Sequence, residues 1–344
     1  MKKLKIIVAL FAGLLAYSSA NAGEMTVTGT MQATYQSEVN GQTGNPLGLN
    51  TDLAFTGTTE VLDGVGVTWT MGTDGTFLGD SGADHKLAFA TSFGTFQVGN
   101  SDDAANNVDD ITPSAFEEAN GSGSGTYATD FGGSNEGSMS IGYRNADLLG
   151  TGISVGYNYY PKLDGTTNNE KGASGAASAS ARSAQSVSIA TSLASLPLIG
   201  DTALGGLKIT AGYEESTNSV ANADDKEGAT IAVNYAMGPV SLGYQKKAYQ
   251  GLASAASTKA FYKDDIIGIA YSFNDSLAIS YNRYSSVKHA NTAKNVEQET
   301  TAINLAYTVG GLTLAFQDAS TDNGAYVDGA VDDDTRTISI KTAF

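Results

Sequence analysis

The 344 residues include no cysteine, only five prolines, two histidines and a single tryptophan. Without thiols there is no disulfide staple, so backbone pairing and burial must hold the fold. The histidines, His85 and His289, fall at the borders of extended segments and lack the H-E-x-x-H spacing, which gives neither a triad nor a metal site. Basic residues are scarce as well, 19 against 36 acidic, for a formal net charge of −17. That balance excludes nucleic acid as a partner, because nucleic acid requires a basic footprint. No apolar run of transmembrane-helix length occurs beyond the amino-terminal segment.

That segment, "MKKLKIIVALFAGLLAYSSANAG", joins a lysine-rich opening to an apolar run from Ile6 to Leu15 and a small-residue site at Ala20 to Ala22. Residues 1–22 are expected to be a secretory signal peptide, with an apolar stretch too short to span a bilayer. The remainder, 23–344, is expected to form one domain. Without the three leader lysines it carries 16 basic and 36 acidic residues, a net charge of −20.

What the chain has in abundance is glycine (41), tyrosine (17) and alternation. Apolar and polar residues alternate with the period of half-buried strands at 25–36, 51–61, 65–72, 85–92, 94–99, 137–144, 151–160, 185–193, 206–214, 228–236, 239–247, 262–273, 276–284, 299–309, 311–318 and 334–344. Short links such as Asp63 to Gly64, Asn274 to Asp275 and Gly310 to Gly311 alternate with long acidic ones at 37–50, 73–84, 100–136, 161–184, 215–227, 248–261, 285–298 and 319–333. Eight long loops and seven short turns suit sixteen up-and-down strands with both termini on the short-turn side. One link, Leu193 to Leu204, is long and apolar where a short turn belongs; it reads as a bulged strand extension or as a surface packed on a neighbouring subunit.

The faces indicate the solvent. One parity collects Ile153, Val155, Tyr157 and Tyr159, or Ile303, Leu305, Tyr307 and Val309; the other holds Ser154, Gly156 and Asn158, or Asn304, Ala306 and Thr308. Sixteen strands enclose a lumen too wide for side chains to fill, so the apolar face must look out into lipid. The expected fold is an all-β, transmembrane antiparallel β-barrel with short periplasmic turns and long outer loops. Tyr157, Tyr213, Tyr244 and Phe316 then fall near the outer ends of strands, and Tyr143, Tyr271, Tyr307 and Phe344 near the periplasmic ends, as two aromatic girdles would.

Three stretches, "SFGTFQVGN" (92–100), "GSMSIGYRNADLLGTGISVGYNYY" (137–160) and the closing "ISIKTAF" (338–344), resemble the Gram-negative general porin family, and their order and spacing extend the match over the whole mature length. The resemblance implies a homotrimer in outer-membrane lipid and lipopolysaccharide, with the third long loop folded into the pore. It also implies that Phe344 and its strand are the signal read by the barrel assembly machinery. In one respect the chain departs from the family. General porins set a cluster of arginines and lysines on the wall opposite the constriction loop, whereas the inward positions here include Thr28, Thr30, Gln32, Ala54, Thr56, Thr68 and Thr70, with Lys86 the one basic residue.

The loop from Asn100 to Glu136 carries Asp102, Asp103, Asp109, Asp110, Glu117 and Glu118 and no lysine or arginine. Folded inward as the resemblance implies, these carboxylates would line the pore constriction and favour cations. Inward lysines, Lys208, Lys247 and Lys341, are scattered over different strands rather than forming the ring an anion channel needs. The acidic runs Asp332 to Asp334, Asp224 to Asp225 and Asp102 to Asp103 have oxygen ligands but no EF-hand spacing; they read as solvated charge, with loop-bound Ca²⁺ the only cofactor left open. The expectation is therefore a non-enzymatic pore for passive diffusion of small hydrophilic solutes. A substrate-specific porin, or an adhesin or receptor barrel, is the alternative.

Overall fold

In the computed structural model the chain forms sixteen antiparallel strands closed into one barrel. The structure describes residues 23–38, 44–74, 84–100, 102–125, 131, 138–163, 182–195, 203–217, 224–251, 260–290 and 294–344. The leader expected at 1–22 lies outside them, as do the centres of most long connections. The strands are β1 (Glu24–Glu38), β2 (Leu47–Leu62), β3 (Val65–Asp74), β4 (Asp84–Thr91), β5 (Gly94–Gly99), β6 (Ser140–Asn145), β7 (Ile153–Tyr160), β8 (Ala184–Ser192), β9 (Leu207–Ser216), β10 (Lys226–Met237), β11 (Val240–Gln250), β12 (Ala260–Ser272), β13 (Leu277–Ala290), β14 (Val296–Val309), β15 (Leu312–Asp322) and β16 (Asp333–Ala343). Each pairs with its sequence neighbours, and β1 pairs with β16 to complete the ring. Among the described residues no helix is long and apolar enough to cross a membrane.

Several strands run past the ends that alternation assigns. β2 begins at Leu47, β13 continues to Ala290, and β15 continues to Asp322. For β13 and β15 the physical reason lies on the outward face, whereas the extension of β2 keeps apolar Leu47 and Leu49 outward. Along β13 the outward residues Leu277, Ile279 and Tyr281 give way to Arg283, while along β14 Tyr307, Leu305 and Ile303 give way to Thr301 and Glu299. Lys246 pairs with Asp265 at 2.8 Å, Arg283 with Glu299, and Arg336 with Asp318 at 3.2 Å. The backbone ladder therefore continues where the apolar stripe has ended, held by cross-strand ion pairs. The connection after β8 does not extend that strand with a bulge: Ser192 ends it, and 3-10 turns occupy Leu193–Ser195 and Ala203–Gly206.

Parity is as alternation predicts. Tyr157, Ile189, Leu305, Phe316 and Ile340 are exposed on the outside, while Asn158, Gln245, Asn282, Asn304 and Gln317 are buried inside. What core the molecule has is internal. Ile266, Tyr284, Ala302 and Ala319 of the wall enclose Ala119, and Ala105, Val108 and Phe131 make a second cluster.

The seam closes on the last residue. Phe344 and Gly29 exchange two backbone hydrogen bonds, 2.9 and 3.0 Å. A Cβ on Gly29 would sit 2.6 Å from the Phe344 ring and 2.8 Å from Leu53, so the missing side chain leaves the hollow in which the ring lies. Gly29→Leu is accordingly expected to destabilise the barrel by about 1–3 kcal/mol through overpacking, read from the urea midpoint in lipid vesicles. Gly324→Ala, where an added Cβ meets nothing within 4 Å, should leave the midpoint unchanged.

Candidate functional site

After β5 the chain turns into the barrel. Residues 102–125 run along the inner wall from β7 to β16, and an irregular segment in such a place carries carbonyls that the barrel ladder cannot satisfy. The wall supplies the missing donors as inward amides. Asn158 donates to the Asp102 carbonyl at 2.7 Å, Gln245 to Val108 at 3.2 Å, Asn234 to Ile111 at 2.9 Å and Asn282 to Pro113 at 3.0 Å. Further on, Asn304 and Gln317 both donate to the Glu117 carbonyl, and Gln36 of β1 donates to Ser122 at 2.8 Å.

Glycines in the same wall let the loop approach closely. A Cβ on Gly212 would lie 2.6 Å from Val108, one on Gly228 2.7 Å from Phe131, and one on Gly268 2.6 Å from the Pro113 carbonyl oxygen; at Gly243 it would collide with the Pro113 ring. Four adjacent or near-adjacent strands thus offer a bare track. Asp110 kinks the loop with φ of 43°, in the left-handed region that Asp tolerates.

The six loop carboxylates differ in environment. Asp102 takes Arg144 at 2.8 Å, Gln97 at 2.5 Å and Asn107 at 2.9 Å, with Lys86 at 4.0 Å. Burial works to raise its carboxyl, but Arg144 and these hydrogen bonds outweigh that and hold it below the usual range. Asp103 is buried and accepts the Ala105 N–H at 2.8 Å. Asp109 and Asp110 share one ammonium, that of the fully buried Lys247, with Asp110 at 2.9 Å and half-exposed. Burial raises the Glu117 carboxyl, and Lys341 draws it partly back. Glu118 is buried with Oε1 accepting the Thr112 N–H and hydroxyl; burial pushes its carboxyl from 4.5 up to about 7. Among the described residues no three His, Cys, Asp or Glu side chains gather to hold a metal ion.

The scattered lysines have separate fates. Lys247 is locked to the loop, whereas Lys208 and Lys341 remain exposed on the inner wall. The described loop residues make no hydrogen bond or ion pair with β2 or β3. Inward residues of β2 and β3, among them Ala54, Thr56, Thr68 and Thr70, are not buried. On that open side lies a cavity of about 860 Å³ lined by Thr28, Thr30, Asn50, Asp52, Gly72 and Lys341. Sequence reasoning missed Asn50, Asp52 and Arg144. Asn50 falls in a stretch that reads as loop, and the partner of Arg144 lies 42 residues away.

A closed sixteen-stranded barrel with a loop docked inside it fits the comparison with known proteins. The profile of the Gram-negative porin family matches residues 8–342. The chain belongs to the Gram-negative porin family. Its place is accordingly the outer membrane of a Gram-negative bacterium, where it forms a porin channel. No curated protein matches the chain. Among solved structures, Salmonella typhi OmpF in complex with daunomycin is similar at TM-score 0.66 and 15% identity, over 94% of this chain and 98% of that one. A porin refined at 1.8 Å gives TM-score 0.62 and 14% identity over 93% and 100%. The trimer form of Vibrio cholerae OmpT gives 0.58 and 11% over 94% and 100%. At these identities the likeness is one of fold.

The glycine track makes a direct test. A valine at Gly268 must push backbone, since Pro113 O would be 2.6 Å and Pro113 N 3.0 Å from the new Cβ. Gly268→Val is expected to lift the loop toward the lumen and lower single-channel conductance, while Gly44→Ala, with open space around it, leaves conductance unchanged.

Glu118 makes a second. Its carboxyl titrates near 7 when docked and near 4.5 when released, so between those values the docked loop holds a proton that the released loop does not. Docking is therefore firmest at and below pH 4.5 and weakens as pH rises through 7, by on the order of 3 kcal/mol at most. Hydrogen exchange of the Thr112 amide, corrected for the intrinsic rate, should be slower at pH 5 than at pH 8. Glu118→Gln should flatten that difference.

Proposed function

We propose that the protein is a water-filled channel for passive diffusion of small hydrophilic solutes, with a preference for cations. The observation that carries this reading is that the described loop residues dock away from β2 and β3: the inward Thr56, Thr58, Thr68 and Thr70 are left uncovered, and the basic side chains nearest the loop, Arg144 and Lys247, are taken up by carboxylates. Two carboxylates share the Lys247 ammonium, which leaves a net negative charge at Asp110. Among the described residues no ring of lysine or arginine faces it, which argues against an anion-specific pore. Transport down a gradient needs no cofactor.

The reading is of a channel and not an enzyme. His85 and His289 stand on the outward face, and His289 stacks on Phe261 with ring centroids 4.5 Å apart. We further propose a homotrimer in outer-membrane lipid and lipopolysaccharide, in line with the family resemblance and with the trimer form of Vibrio cholerae OmpT. Phe344, at the seam, is proposed as the residue the barrel assembly machinery reads.

One carboxylate about 5 Å from a passing ion contributes ~0.8 kcal/mol in water-like surroundings, roughly a four-fold enrichment of a cation and an equal depletion of an anion. In a planar bilayer under a KCl gradient the reversal potential is expected to show K⁺ favoured over Cl⁻. The preference should shrink toward 1 M salt, where the Debye length is ~3 Å. An anion preference, or no steady channel, would overturn the reading.

A further inference from the structure

The wall the loop leaves open carries a charge of its own. Asp52 lies five residues in from the outer end of β2 (Leu47–Leu62), within the stretch that alternation reads as strand, and its register partner on β1 is Thr30. Its two oxygens are oriented by neutral donors: Thr30 Oγ1 bonds Oδ2 at 2.9 Å, and Asn50 Nδ2 bonds Oδ1 at 3.1 Å. Among the described residues no lysine, arginine or histidine forms an ion pair with it. The carboxylate and the exposed ammonium of Lys341 line the same cavity, and Lys341 is also the cation whose charge acts on Glu117 from the loop side. Among the described residues Lys341 forms no ion pair with either carboxylate, and Asp52 is fixed in place by neutral donors alone.

We propose that Asp52 is a selectivity residue of the channel, acting on permeant cations from the wall that the loop does not cover. The inference rests on the channel reading above and adds to it that cation preference does not reside in the loop alone. Neutral donors hold the carboxylate at the edge of the passage without neutralising it. The solutes it favours are small monovalent cations and solutes bearing an ammonium group.

The test is the K⁺ to Cl⁻ permeability ratio from reversal potentials in a KCl gradient, measured on the full-length barrel in a planar bilayer. Asp52→Asn is expected to lower the ratio by up to about fifteen-fold, since the carboxylate attracts K⁺ and repels Cl⁻ by the same Coulomb amount, Asp52→Lys to lower it further, and Asp52→Glu to retain it. Conductance at 1 M KCl, where fixed charge is screened, should be the same in wild type and Asp52→Asn and shows that the variant barrel is folded and open. An unchanged ratio in an open Asp52→Asn channel would overturn the role of Asp52 and leave the channel reading intact. A folded wild-type barrel without channel activity would overturn the channel reading and this inference with it.

Discussion

A peptide group facing hydrocarbon has no water to bond, and each one left unpaired costs several kcal/mol. The rest of this structure follows from that constraint. The strands must close, and they do so by pairing β1 with β16, down to the two bonds that Gly29 and Phe344 exchange. Closing sixteen strands makes an interior that side chains alone cannot fill. The polar face is then the inner one, so the hydrophobic effect places apolar side chains against lipid and leaves the centre without a conventional core. Some other device must occupy part of the interior.

That device is the segment 102–125, and it is held mostly by polar contacts. Seven inward Asn and Gln side chains donate to loop carbonyls, which satisfies acceptors that would otherwise be orphaned in a partly dry space. Ala119, Val108 and Phe131 add two small apolar anchors. The buried Lys247 does something different. Desolvating an ammonium and two carboxylates offsets much of their attraction, so the pair is better regarded as fixing the loop's position than as a large source of stability. Breaking it from one side would still leave buried charge uncompensated, which is why the loop has few alternative resting places.

How much of this was legible in the sequence depends on which solvent each residue meets. Where the outer face touches lipid, alternation is enforced, and the strand count, direction and facing of residues such as Ile303, Leu305 and Tyr307 could be read directly. Past the hydrocarbon the outward positions become Lys246, Arg283 and Glu299, and the period is lost although the ladder continues; this hid the ends of β13 and β15. The loop's course was known only through resemblance, because nothing local ties Asp102 to Arg144 or Asp109 to Lys247. The glycines of the track were visible at inward positions, Gly212 and Gly228 among them. A strand glycine, however, signals only that something approaches closely, not what approaches.

The same geometry bears on how charge should be counted in a pore. A tally of acidic residues in the loop suggests six fixed negative charges, yet Asp102 has Arg144, Asp109 and Asp110 have Lys247 between them, and Glu118 is buried with a carboxyl that holds its proton to about 7. Paired charges act on a passing ion as dipoles, whose field falls faster with distance than that of a single charge. What remains at long range is the excess after pairing, and in a wall with so few basic residues a single unanswered carboxylate is a large part of it. The position of the arginines and lysines, more than the number of aspartates and glutamates, therefore decides the sign and the place of the field in the passage.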